Sequence, residues 1–215
     1  QIEKGKLKRG FQKVFKYVSL IAIPSSIGLA FIATPVIRVI YGISYVPLQY
    51  ELSIVIAAAL LSLVVAETAF TTVLATLFQA KEKPKIPSII IVIATIANII
   101  LSYIFIKVGI AFGMQYGLVS VSLATFLTRY GNLIALGCLA KKKFDISIKA
   151  SYIIKPLIAS VIMLGFLFFC DYFLDLSILM GAVMVIVAAL LYTAILWVIR
   201  GLNKEDLETI KLLRE

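Results

Sequence analysis

Residues 86–106 read IPSIIIVIATIANIILSYIFI, an apolar run that contains no charged residue. At about 1.5 Å per helical residue, a run of this length spans about 30 Å, which is the thickness of the hydrocarbon layer of a membrane. Lys81, Lys83 and Lys85 precede the run, and Lys107 follows it. The stretch therefore predicts a transmembrane helix with charged residues beyond both of its ends.

Five further apolar stretches of similar or greater length lie along the 215-residue chain. Together with the first, the predicted spans are 17–37, 47–80, 86–106, 117–140, 152–174 and 177–199. Hydrophobic residues make up 62% of the chain and its mean hydropathy is +1.06, which is too apolar for a soluble domain of this size. The sequence therefore predicts an all-α polytopic membrane protein with six transmembrane helices.

The distribution of positive charge predicts the side of the membrane on which each connection lies. Lysine and arginine concentrate before the first span and after the second, fourth and sixth, whereas the alternate connections contain only Arg38 and Lys107. Cytoplasmic connections typically carry this excess, so we expect both ends of the chain in the cytoplasm and the protein in the cell membrane. Membrane topology thus accounts for the net charge of +10, with membrane lipids and not nucleic acid as the expected partner.

The same pattern divides the chain into segments. We expect a cytoplasmic amphipathic connector at 1–16, four transmembrane helices at 17–140, a basic cytoplasmic loop at 141–155, two additional transmembrane helices at 156–200 and a cytoplasmic tail helix at 201–215. Because the chain opens on a connector that begins with Gln1, we expect it to be the later part of a longer protein.

The composition argues against most kinds of enzyme. Histidine is absent, which excludes histidine acid–base catalysis, histidine metal ligands and histidine-activated nucleophiles. The sequence contains no glycine-rich phosphate loop and no metal-ligand spacing. We therefore expect no enzymatic activity, no cofactor and no bound metal.

Pro24 lies inside the first span, with Gly28 one helical turn later. A proline in a helix interior removes one backbone hydrogen bond, so we expect this helix to bend or partly unwind there. Pro24 and Gly28 then form either a hinge that faces a cavity or a kink that serves helix packing.

Two ionisable residues, Glu67 and Arg129, lie deep within the predicted spans. Each costs about 2.5–3.5 kcal/mol at the centre of a membrane helix, so exposure to lipid is disfavoured. Glu67 lies about 21 Å from Lys81 along its helix and Arg129 about 18 Å from Lys141, so both fall near the midplane. We expect them to pair and to share a polar interior, either as the lining of a cavity or as a structural bridge.

Other polar residues recur at helical spacing in the same spans, which places them in stripes on single helix faces. The stripes are Glu67, Thr71 and Gln79 in the second span, Thr95, Asn98 and Ser102 in the third, and Ser122, Thr125, Arg129 and Asn132 in the fourth. The residues predicted to line a translocation pathway are Glu67, Thr71, Asn98, Ser122, Thr125, Arg129 and Asn132.

Several short motifs resemble those of a known family. They are Ile23-Pro24 through Gly28 to Ile40-Tyr41-Gly42, Leu77-Phe78-Gln79-Ala80 with Lys83-Pro84-Lys85, Ala97-Asn98-Ile99-Ile100, Tyr116-Gly117, Ser122-Leu123-Ala124-Thr125 and Leu202-Asn203-Lys204-Glu205-Asp206-Leu207. In order and spacing, these motifs are similar to the C-terminal portion of the polysaccharide and oligosaccharidyl-lipid flippases, a branch of the multidrug and polysaccharide exporter superfamily.

The resemblance implies a transporter with two six-helix lobes around a central cavity, of which this chain is a fragment that starts at the ninth helix. It implies that the chain moves a polyprenyl-diphosphate-linked glycan across the membrane by alternating access, together with a missing N-terminal lobe. Two alternatives remain open at this point. One is a cation-coupled drug or metabolite exporter of the same superfamily, with Glu67 as the coupling site, and the other is a membrane scaffold that transports nothing.

Overall fold

A computed structural model describes residues 2–41, 48–146, 148–173 and 178–199. These residues form helices joined by turns and short connections, which agrees with the predicted all-α polytopic membrane protein. The helices are α1 (Ile2–Tyr41), α2 (Leu48–Ala80), α3 (Lys85–Phe112), α4 (Tyr116–Phe144), α5 (Ser151–Phe173) and α6 (Ile178–Val198). The predicted tail helix at 201–215 lies outside the described residues.

The lengths and compositions of the helices agree with membrane spans. Within the described residues, five helices are long and apolar enough to cross a membrane, and the apolar segment Val183–Val198 of α6 is shorter. The connection between α4 and α5 is shorter than the predicted basic loop, because α4 continues to Phe144 and α5 already begins at Ser151.

Helix α1 differs from its prediction in two respects. The connector expected at 1–16 is not a separate element, because one helix of 40 residues runs from Ile2 to Tyr41. At about 1.5 Å per residue this helix is about 60 Å long, twice the thickness of the hydrocarbon layer, so its basic first turns extend beyond the membrane. The helix also continues through Pro24 and Gly28, so of the two outcomes expected there, a bend or partial unwinding, unwinding does not occur.

The described residues up to Ile148 form one compact unit, called unit 1, in which α2 packs against α1 on one side and against α4 on the other. Aromatic pairs mark both interfaces: Phe15 of α1 stacks on Phe70 of α2 with ring centres 5.0 Å apart, and Phe78 of α2 meets Phe144 of α4 at 5.1 Å. Phe78 is completely buried. These contacts hold the basic ends of the three helices together.

Helix α3 joins the same unit through α4 and makes few contacts with α2. Its close approach to α4 depends on Gly109, because a Cβ atom at this position would lie 2.9 Å from the carbonyl oxygen of Tyr116 and would also collide with Ser120. The order of the helices in this unit is therefore α1, α2, α4, α3, with α4 between α2 and α3.

The described residues 149–173 and 178–199 form the second compact unit, in which α5 packs against α6. Buried residues recur at intervals of about four in both helices, which gives each helix one buried face. They are Ala159, Met163 and Leu167 in α5, and Ala188, Tyr192 and Leu196 in α6.

Candidate functional site

Glu67 is an acidic residue that is completely buried among the described residues, with 0% of its surface exposed. Thr71, one helical turn later, donates its hydroxyl hydrogen bond to Glu67 Oε1 at 2.5 Å. The hydroxyl of Thr68 lies 3.5 Å from Oε2. Thr68 donates its hydroxyl hydrogen bond to the carbonyl of Val64 at 2.9 Å, so Thr71 is the hydroxyl of this helix that bonds the carboxyl group and supplies part of the polar environment that a buried acid requires.

Tyr130 of α4 lies close to this acid. Its hydroxyl donates a hydrogen bond to the backbone carbonyl of Leu63 at 3.0 Å, and Leu63 precedes Glu67 by four residues, or about 6 Å along α2. Because Tyr130 follows Arg129 directly, this bond places Arg129 and Glu67 at similar depths. The depth comparison made from the sequence therefore agrees with the structure.

The expected pairing of Glu67 with Arg129 is wrong. Glu67 is enclosed, whereas Arg129 is exposed, and no ion pair joins the two. A salt bridge within the described ranges joins Lys8 and Asp145, whose charged atoms are 3.6 Å apart, and involves neither Glu67 nor Arg129. The two midplane charges occupy different environments because Glu67 points into the packed interior of unit 1 and Arg129 does not.

Arg129 leaves α4 on a different side from most of the exposed apolar residues of this helix. Leu123, Leu127 and Ile134 form an exposed apolar stripe along the same helix. At about 100° per residue, Arg129 lies about 200° around the helix from Leu127 and about 140° from Ile134. The guanidinium therefore leaves the helix on the side opposite this stripe. Leu118, which is also exposed, points within about 20° of the same direction but lies about 16 Å nearer the start of α4.

Asn98 links α3 to α4 at the centre of their interface. Its side-chain amide donates to the hydroxyl of Thr128 at 2.8 Å and approaches the hydroxyl of Thr125 at 3.4 Å. These are side chain–side chain bonds between two different helices, and each spans nearly thirty residues of sequence. The predicted polar positions Asn98 and Thr125 therefore do meet, in a bond that joins two membrane helices.

Two further predicted residues of α4 are buried. Ser122 is 2% exposed and donates its hydroxyl hydrogen bond to the carbonyl of Leu118 in its own helix, as serine often does in membrane helices. Asn132 is 5% exposed, and its Oδ1 atom is a buried acceptor that has no donor among the described residues.

The structure thus separates the predicted polar stripes into two clusters. One comprises Glu67, Thr68 and Thr71 on α2, with Tyr130 beside it, and the other comprises Asn98, Thr125 and Thr128 between α3 and α4. The remaining stripe members contribute little to either cluster: Thr95 is exposed and bonds its own backbone, and Gln79 is exposed at the end of α2.

Sequence reasoning missed three residues of these clusters, Thr68, Thr128 and Tyr130. Thr68 directly follows Glu67 and therefore lies off the stripe that Glu67 and Thr71 share. Thr128 follows Thr125 by three residues and continues the polar face toward α3, so its spacing was an available signal. Tyr130 gave no such signal, because a tyrosine between polar and apolar faces is equally compatible with packing.

Comparison with known families gives one result that bears on function. The family model described as lipid II flippase MurJ matches residues 1–193. No curated protein and no solved structure matches the chain. The MurJ family is a branch of the superfamily that the sequence motifs resembled, and it consists of transporters and not of catalytic enzymes, so the expected family of lipid-linked oligosaccharide flippases is confirmed. Because the match covers most of the 215 residues, this multi-pass membrane chain belongs to the MurJ family of lipid II flippases.

Proposed function

We propose that unit 1 forms part of the wall of a pathway that carries a polyprenyl-diphosphate-linked glycan across the membrane, and that Arg129 faces this pathway. Lipid II, the molecule in the description of the family, is of this chemical class. The observation that carries the proposal is the position of Arg129, which is exposed at midplane depth on the side of α4 that faces away from the apolar stripe.

The chemistry of the cargo requires such a wall. A diphosphate and a glycan would lose their water in hydrocarbon, at a cost of several kcal/mol for each unpaired polar group. An arginine offers a planar set of donors that matches phosphate oxygens, and charge-assisted bonds of this kind are about twice as strong as neutral ones. Arg129 therefore suits the passing diphosphate. The negative charge of the diphosphate would in turn offset the cost of holding the guanidinium near the midplane.

The architecture of the pathway is also part of the proposal. Unit 1 leaves the Arg129 side of α4 open, and we infer that a second lobe of the transporter faces it there. Rocking of two lobes around a midplane site is a common means of alternating access. Pro24 and Gly28 remain our candidates for a hinge in α1, now as a bend within a continuous helix.

The charge distribution supports a topology in which both ends of this segment are cytoplasmic. Lys141, Lys142 and Lys143 end α4, and Lys81, Lys83 and Lys85 follow α2. Helices α2 and α4 both run toward these basic ends, which the positive-inside pattern assigns to the cytoplasm. Cysteine labelling from one side of intact cells tests this topology at exposed positions.

The proposal is tested by transport measurements on the full-length protein in vesicles that contain fluorescent lipid II. We expect Arg129→Ala to slow translocation at least about tenfold, since a hydrogen bond to a charged group contributes about 1.5–3 kcal/mol. Arg129→Lys keeps the charge and loses the bidentate geometry, so its rate is expected to lie between those of Arg129→Ala and the wild type.

Lys107→Ala is the matched control, because it also removes one exposed positive charge, but from α3 and far from Arg129 along the membrane normal. A normal rate for Arg129→Ala, or an equal loss for Lys107→Ala, would remove Arg129 from the pathway. Extrusion of dyes without translocation of lipid II would instead favour the cation-coupled exporter. If removal of the protein changed the transport of neither dyes nor lipid II, a scaffold would be favoured.

A further inference from the structure

A pocket of about 180 Å³ lies at the basic end of unit 1, between α1, α2, α4 and the residues that follow α4. Its lining is apolar except for one lysine. The residues are Phe11, Leu74, Gly137, Ala140, Lys141, Ile146 and Ile148. Phe11, Leu74 and Ile146 are 7%, 1% and 5% exposed, so the walls are packed parts of the fold and not loose surface groups.

The charge around this pocket is strongly positive. Asp145 is the acid beside it, and Lys8 already engages this residue through both its carboxylate and its backbone carbonyl, the latter at 2.8 Å. Lys141, Lys142 and Lys143 are exposed, and none of them forms an ion pair within the described ranges. The pocket therefore combines an apolar interior with a cationic rim, in which Lys141 lines the pocket and Lys142 and Lys143 follow it on α4.

We propose that this pocket binds an anionic phospholipid of the adjacent membrane leaflet. Part of an acyl chain would lie against Phe11, Leu74 and Ile146, and the phosphate would lie at Lys141. Basic pockets between transmembrane helices on the cytoplasmic side bind anionic head groups in this manner, and each lysine near the surface contributes about 1 kcal/mol. A zwitterionic lipid would gain much less from the cationic rim.

The pocket is distinct from the translocation site. Leu74 lies seven residues beyond Glu67, about 10 Å closer to the basic end of α2. Arg129 lies eight residues before Gly137, about 12 Å away along α4. The pocket therefore extends from the inner edge of the hydrocarbon layer, at Leu74 and Gly137, to the basic end of α4 at Lys141, where a resident lipid can be bound without occupying the midplane pathway.

Gly137 offers a direct means of filling the pocket. A Cβ atom added there meets no other atom within 4 Å, so a larger side chain enters the pocket without displacing the backbone. Gly131 of the same helix has an equally open Cβ position but does not line the pocket. The pair Gly137→Leu and Gly131→Leu therefore adds the same atoms to the same helix, at the pocket in the first variant and outside it in the second.

The test is native mass spectrometry of the full-length protein, released from micelles containing equal amounts of phosphatidylglycerol and phosphatidylethanolamine. We expect the wild type and Gly131→Leu to retain phosphatidylglycerol preferentially, and Gly137→Leu to lose most of this preference. Lys141→Glu is expected to weaken retention at least about fivefold. Lys142→Glu, the same charge change on the next residue, is expected to have a smaller effect because Lys142 does not line the pocket.

Several outcomes would overturn the proposal. Equal retention by Gly137→Leu and Gly131→Leu would show that lipid does not enter the pocket. Equal retention of the two phospholipids by the wild type would show that the cationic rim does not select the head group. Displacement of phosphatidylglycerol by stoichiometric lipid II, abolished in Gly137→Leu, would assign the pocket to the cargo. Lys141→Glu is a surface change, so its result holds even where Gly137→Leu lowers the yield of folded protein.

Discussion

The bond between Asn98 and Thr128 predicts how strongly α3 is coupled to α4. Its 2.8 Å length is close to ideal, whereas the second contact of Asn98, to Thr125, is a marginal 3.4 Å. Hydrogen bonds between membrane helices contribute about 0.6 kcal/mol on average and at most about 1.7 kcal/mol. We therefore expect a coupling free energy of about 0.6–1.7 kcal/mol for Asn98 with Thr128, and less for Asn98 with Thr125.

A double-mutant cycle with Asn98→Leu and Thr128→Val measures this coupling, because each change removes polar atoms while keeping most of the side-chain volume. The assay is reversible unfolding of the full-length protein in mixed micelles. The parallel cycle with Thr125→Val is the matched control, since Thr125 lies on the same helix and differs in its distance from the amide. A coupling below about 0.2 kcal/mol for Thr128, or a larger one for Thr125, would refute the reasoning.

Two other predictions concern packing in unit 1, and the same unfolding assay tests both. Gly109→Val should lower the free energy of unfolding by about 1–3 kcal/mol, because a side chain there collides with Ser120 and with the carbonyl of Tyr116. Gly131→Val has open space and should lower the free energy of unfolding less. Equal losses for the two variants would contradict the close α3–α4 approach. Phe78→Ala should lower the free energy of unfolding by about 3–5 kcal/mol, because Phe78 is fully buried against Phe144. The control is Phe112→Ala, which removes a ring that is 79% exposed. Similar losses for the two variants would contradict the assignment of the core.

The spans could be predicted from the sequence because hydropathy over twenty or more residues is a strong signal, and the helix bounds lie within a few residues of the apolar runs for α2 and α4. The start of α1 could not be predicted in this way. The composition of the basic amphipathic segment suggests a separate element. No helix-breaking residue lies between Lys16 and Tyr17, however, so the backbone stays helical there.

The site was predicted less completely, for a geometric reason. Periodicity identifies which residues share a helix face, but it does not determine which helices are neighbours. Asn98 and Thr125 meet because α3 and α4 form a hairpin with a short turn, which the sequence does suggest. Glu67 and Arg129 lie at matching depth and yet do not pair, because pairing also depends on the rotation of α2 and α4 about their axes.

Four consecutive residues of α4 show how that rotation assigns a role to Arg129. Steps of about 100° give Leu127, Thr128, Arg129 and Tyr130 four different directions. Leu127 is exposed on the apolar stripe, Thr128 bonds Asn98 of α3, and Tyr130 bonds the backbone of α2. Three sides of the helix at this depth are thereby occupied by lipid-compatible surface, α3 and α2, and the fourth carries a charge. An arginine is costly near the midplane in any direction that faces hydrocarbon. The bonds of its two neighbours fix the rotation of α4, so they also hold the guanidinium toward the remaining side, where we propose that it faces a polar pathway.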